Sequence, residues 1–183
     1  FAILASCVRN ETSGEDRHGD INAADQHHTL LQLNQASEQA YQYIRDHLPE
    51  QAYQEVQSLS RLLTHFQFSG FTGVEGMAAI TTSVTELSGR LHAIKYDEEK
   101  ALHSASKVRL AIDALGEREQ PMWRQYGNTI RTDLGRLKHA ADQNDHAALQ
   151  THFRLLYHHY DVVRPSLLVR NSSSDIQMLD SLL

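Results

Sequence analysis

Apolar side chains in this chain recur three and four residues apart from about residue 25 to residue 163, and only three prolines, Pro49, Pro121 and Pro165, interrupt the pattern. That spacing places them on one face of an α-helix, and no segment alternates with the period of two that a half-buried strand requires. The fold class expected is therefore all-α, an antiparallel bundle of about six helices built from stacked helical hairpins. The first helix is expected from about Asp25 to His47, with Leu30, Leu33, Ala36, Ala40 and Ile44 on one face, ending before Pro49 because a residue preceding proline avoids helical geometry. Pro49 opens the second, whose stripe is Ala52, Val56, Leu59, Leu63 and Phe66 and which FSGFTG closes. Thr72 and Glu75 have capping-box spacing ahead of a third stripe, Val74, Met77, Ile80, Val84, Leu87, Leu91 and Ile94.

Asp97 is placed to cap a fourth helix carrying Leu102, Ala105, Val108, Ile112 and Leu115, with Gly116 at its end. Pro121 opens a fifth, with Trp123, Tyr126, Ile130, Leu134, Leu137 and Ala141 inward. After the polar break DQND, Asp145 starts a sixth with Leu149, Phe153, Leu156, Tyr160 and Val163, expected to stop near Arg164-Pro165. SSSD, residues 172–175, can cap a short terminal helix. The first pair, with small residues at its contact positions and aromatic residues beside them, is similar to one tetratricopeptide unit, but a single unit does not make a solenoid.

The N-terminal residues carry a different message. Leu4-Ala5-Ser6-Cys7 has the form of a lipobox, where a signal peptidase cuts before a lipidated cysteine, and Cys7 is the only cysteine in the chain. Residues 1–7 read as the end of a signal segment and 8–22, polar and nearly devoid of apolar residues, as a flexible tether. Residues 23–183 read as one helical domain. The location expected is the outer, extracytoplasmic face of the cytoplasmic membrane, with the lipid on Cys7 as the membrane partner.

Net charge bears on the other partners. With 17 Lys and Arg against 23 Asp and Glu, the chain has a formal charge of -6, and there is no basic field to gather nucleic acid. Twelve histidines make the charge sensitive to mild acid. Metal chelation on helices needs ligands three or four apart so that they converge. His27 and His28 are adjacent and diverge, as do His158 and His159, while His152 and His159 are two turns apart, so His152, His158 and His159 are the only metal candidates and poor ones. No CxxCH haem attachment and no GxSxG nucleophile elbow occurs, Asp97-Glu98-Glu99 suits a helix start, and Gly70, Gly73 and Gly76 follow no strand. The expectation is a non-enzymatic protein without a cofactor, working through an unidentified protein partner.

The stretch VRLAIDALGEREQPMWRQY places Arg109 and Asp113 one turn apart, where an ion pair is expected, and opens the next helix with Pro121 and Trp123. Trp123 either fixes the corner of the hairpin or anchors a partner. This stretch and LKHAADQNDHAALQTHFRLLYHHYDVVRPSLLV together resemble the sporulation protein YpjB family. The matching features are the helix Arg109 to Leu115, the QPMW turn at Gln120 to Trp123, the long helix to Ala141, His152-Phe153, Tyr160, and RPSL at Arg164 to Leu167. The resemblance covers about two thirds of the chain. It implies a helical, secreted or membrane-associated protein linked to sporulation, with no catalytic residues to carry over. It also implies an N-terminal signal and a C-terminal membrane segment, and the sequence departs from that picture in its lipobox-like start and in its QMLDSLL end. Two alternatives stay open: a bundle holding a metal or cofactor on His152, His158 or His159, and a histidine-based pH-responsive regulator.

Overall fold

The computed structural model describes residues 15–66, 74–116, 121–170 and 173–181. Among them every regular element is an α-helix: α1 (Glu15–Arg45), α2 (Pro49–His65), α3 (Val74–Leu91), α4 (Glu98–Asp113), α5 (Trp123–Asp142), α6 (His146–Arg170) and α7 (Ser173–Asp180). The all-α expectation holds, with the short terminal helix as the seventh element. Cys7, the lipobox, Thr72 and the closing FSGFTG lie outside the described residues.

α1 and α2 form the expected hairpin, and α4 lies at the centre, against α1, α3 and α6. The main core joins Leu33, Ile44, Val56, Leu59, Ile80, Leu87, Val108 and Ile112, all buried. The local signals read from sequence act as physics requires. Asp97 accepts a hydrogen bond from the Lys100 amide at 3.1 Å, satisfying one of the orphan donors at the start of α4. Asn144 takes a left-handed conformation (φ 53) after α5, and the Asp145 amide reaches back to the Ala140 carbonyl at 3.0 Å. Asp145 then caps α6 through the Ala148 amide at 3.0 Å.

Four expectations are corrected. α1 begins at Glu15 rather than near Asp25, so the second half of the stretch read as a tether is helical; extending an existing helix costs far less than nucleating one, and no proline stands in the way. α6 does not stop at Arg164-Pro165 but continues to Arg170. An internal proline costs about 3 kcal/mol, and here the continuation buries Pro165, Ser166 and Val169 while Arg170 donates to the Gly116 carbonyl at the end of α4. The third stripe is shorter than its pattern: Val74 is 89% exposed and Ile94, beyond the helix, 109%. The fifth and sixth stripes are also open at one end, since Leu134 is 50% and Phe153 38% exposed.

That last departure follows from topology. α5 packs along its length on α6, and among the described residues it meets the rest of the bundle only through its first two turns. Its first two turns join a second core, where Trp123, Tyr126 and Ile130 meet Leu110, Val162 and Val163. Among the described residues, no third helix packs on the apolar face of the α5–α6 hairpin beyond Ile130.

Candidate functional site

Two regions carry more than core packing. The first is a polar cluster where α3, α4 and α6 meet. Lys107 from α4, only 12% exposed, reaches Asp161 of α6 at 2.9 Å and Glu86 of α3 at 3.2 Å. His103, one turn before Lys107, places Nε2 2.8 Å from the same Asp161 oxygen, and Ser104 donates to Glu86 at 2.9 Å. The His103 hydrogen bond, with help from Lys107 and against the cost of burial, holds the Asp161 carboxyl down at about 2.

From His103 the cluster continues as a row of neighbouring imidazoles, the first pair tilted and the second edge-on. The His103 and His158 rings lie 4.4 Å apart, and the His158 and His159 rings 5.7 Å. His159 Nδ1 ends the row 2.6 Å from Asp133, a buried carboxylate on α5. Three imidazoles thus bridge Asp161 and Asp133 across the root of the hairpin. Burial, and then the neighbouring His103 and His159, push the His158 pKa below its ordinary 6.5. Among the described residues no three His, Cys, Asp or Glu side chains converge as a metal set would, and His152, its Nδ1 buried without a hydrogen-bond partner, does not join His158 and His159.

The residues singled out around the QPMW turn are structural. Arg109 does not pair with Asp113 along its own helix. It forms an ion pair with Glu38 of α1 and lies 5.1 Å from the Tyr41 ring centroid, because α1 offers both a carboxylate and an aromatic face. Asp113, buried, instead accepts the Met122 amide at 2.7 Å and so pins the chain after the turn. Pro121 is buried and Trp123 partly so, the indole packed against both cores. Tyr160 and Arg164 converge on Asp180: the Tyr160 hydroxyl donates at 2.8 Å, and the guanidinium makes bonds of 2.8 and 2.6 Å to the two carboxylate oxygens. This fastens α7 to α6. Burial and then the hydrogen bond to Asp180 push the Tyr160 phenol up to about 12. A cleft of about 340 Å³ beside it is lined by Glu86, Lys107, Asp161, Arg164 and Asp180, charges that already satisfy one another.

The second region is the open end of the α5–α6 hairpin. Leu134, Leu137, Lys138 and Ala141 of α5 and Leu149, Gln150 and Phe153 of α6 line a shallow groove of about 640 Å³. Every apolar member belongs to the stripes read from sequence, which assigned them to the core. Asp133 and His159 were the available signal that something else happens here, since both fall inside those stripes' helices yet are polar groups turned into the hairpin's own seam.

Among the described residues no helix is long and apolar enough to cross a membrane. A family model described as Sporulation protein YpjB matches residues 30–183, and the chain belongs to that family. A relative from Bacillus subtilis strain 168, named "Uncharacterized protein YpjB", is 23% identical over 164 residues, covering 87% of this chain and 61% of the relative. The chain therefore spans about three fifths of that relative's length. No solved structure matches it.

Proposed function

We propose that this member of the sporulation protein YpjB family is a non-enzymatic, membrane-associated interaction module, held on the outer face of the cytoplasmic membrane by a lipid on Cys7 and binding another protein chain through the α5–α6 face. The observation that carries the reading is the groove. A contiguous set of Leu134, Leu137, Ala141, Leu149 and Phe153 facing solvent is the kind of patch that marks a contact surface, whereas the charged clusters are internally paired. The Leu4-Ala5-Ser6-Cys7 sequence supports the anchor. Several acyl chains at about 0.8 kcal/mol per buried methylene hold firmly where one would not. The reading calls for no cofactor and no nucleic acid.

In sporulating cells whose only copy carries Leu134→Asp with Phe153→Asp, spore yield should fall although the protein accumulates normally. Cys7→Ala should release the protein from the membrane fraction. Undiminished spore yield with the groove variant would remove the interaction role, and unchanged membrane retention of the Cys7 variant would remove the anchor. A second reading, pH response, is favoured by the row His103, His158 and His159 between two carboxylates. It requires a cooperative change in helicity or association in mildly acidic solution, abolished by His158→Gln; a smooth titration removes it.

A further inference from the structure

We infer that the occupant of the α5–α6 groove is a second copy of this chain, with the two hairpins packed antiparallel about a two-fold axis near Leu137 to form a four-helix bundle. The inference rests on the interaction-module reading and names its partner. A lone pair of antiparallel helices with one apolar side uncovered is half of such a bundle, and a two-fold axis allows the same patch to serve both copies.

Charge selects the copy and its orientation. Residues 131–156 carry Arg131, Arg136, Lys138 and Arg154 against Asp133, Asp142 and Asp145, in a chain whose overall charge is -6. Two copies therefore meet here without the mutual repulsion that the rest of their surfaces would impose. The distribution is also ordered. Asp133 is taken up by His159 and Arg136, and the Asp145 carboxylate by the cap of α6, which leaves Arg131 and Lys138 first along α5 and Asp142 at the hairpin tip. Antiparallel pairing sets the basic stretch of each copy beside the acidic tip of the other, while parallel pairing would oppose like charges. Leu134 then falls opposite Ala141 of the other copy. Gly135, beside Leu134, has nothing within 4 Å of where a Cβ would stand, which leaves the other helix room to approach.

The size of the face sets the strength. From Ile130 to Asp142 α5 runs about 20 Å, and two helices side by side are about 20 Å across. Burying that face on both copies removes on the order of 800 to 1,000 Å² in total, the low end for specific complexes. A reversible dimer with a dissociation constant in the micromolar range is expected.

The test is sedimentation velocity of the 183-residue chain from about 1 to 100 μM, a range chosen to bracket that constant. The mass should rise from 20.7 kDa towards twice that value. Leu134→Asp should stay monomeric throughout with unchanged far-UV helicity. Arg131→Glu and Asp142→Arg should each weaken the dimer about 10-fold, and the two together in one chain should restore it, because each new charge then meets its complement. A wild-type monomer at 100 μM, a dimer indifferent to Leu134→Asp, or a double variant no tighter than either single one would overturn the inference. A monomeric wild type whose Leu134→Asp variant still loses spore yield would overturn the dimer and leave the interaction module standing with a different partner. Monomer together with undiminished yield would overturn both.

Discussion

Replacing Asp161 with Asn should destabilise the protein by about 1–2 kcal/mol at neutral pH, and the loss should vanish in acid. One Asp161 oxygen takes both the His103 Nε2 at 2.8 Å and the Lys107 Nζ at 2.9 Å, and Glu86 shares Lys107 from the other side. The groups facing Asp161 are thus Glu86 from α3, His103 and Lys107 from α4, and His158 on its own helix. Lowering its carboxyl from 3.8 to about 2 corresponds to about 2.4 kcal/mol at 1.36 kcal/mol per unit. Asp161 is 29% exposed, so solvent screening reduces the figure to about 1–2 kcal/mol. The sign follows from the depressed carboxyl. Above about pH 5 it is ionised whether the chain is folded or not, and its contribution is complete. Between about 4 and 2 the unfolded chain takes up a proton that the folded protein refuses, so the contribution falls, and it is gone below about 2. Urea unfolding of both proteins at pH 7, 4.5 and 2.5 measures it as a difference, which cancels every other carboxylate. At pH 7 the variant's melting temperature should drop by about 3–6 °C. A difference under about 0.5 kcal/mol at pH 7, or one of equal size at pH 2.5, would refute the assignment of the shift to His103 and Lys107.

Three other outcomes are expected. His158, its pKa depressed by burial and by its imidazole neighbours, should titrate below 6.5 in an NMR pH series; because the unfolded chain takes up the proton first, stability should decline as pH falls through 6.5 towards the folded value, and His158→Gln should remove that part of the slope. His47 sits at φ 62 between α1 and α2, a geometry costly for a branched side chain, so His47→Val should cost about 1–2 kcal/mol while His47→Gly stays within about 0.5 in urea unfolding, even with the Glu98 contact at 2.6 Å gone. Leu59→Ala, in the fully buried core, should cost about 2–5 kcal/mol, whereas Ile94→Ala, wholly exposed, should be neutral within about 0.5 by the same measurement.

Much of this architecture was legible because it is local. The stripe Ala52, Val56, Leu59 and Leu63 is buried throughout, and Asp97 caps the helix it precedes. The polar cluster was not legible, because its pairs join residues far apart in the chain: His103 with Asp161 and Lys107 with Glu86. Helical periodicity says which face a residue occupies and not what stands opposite it. Arg109 shows the point, since its one-turn spacing from Asp113 is real but Glu38 on α1 stands closer to its charge. Pro165 shows the reverse case. The local rule for proline is sound, yet packing Ser166 and Val169 into the interior outweighs it.

The α5–α6 stripe is where a correct pattern led to the wrong cover. An amphipathic helix records that its apolar face is covered, and in α3 the residues Ile80, Val84 and Leu87 are covered by helices of the same chain. Leu134 and Phe153 belong to equally regular stripes, but among the described residues no third helix packs on them. Helix propensity does not explain leucine at position 134, since lysine or glutamine would serve an exposed site about as well. Nor does the hairpin's own seam, which is held there by Asp133 and His159 as well as by apolar contact. On the proposed interaction-module reading, these apolar side chains gain their burial, at about 25 cal/mol per Å², in contact with another chain. The order of Arg131 and Lys138 before Asp142 along α5 is what motivates the proposal that this other chain is an antiparallel copy.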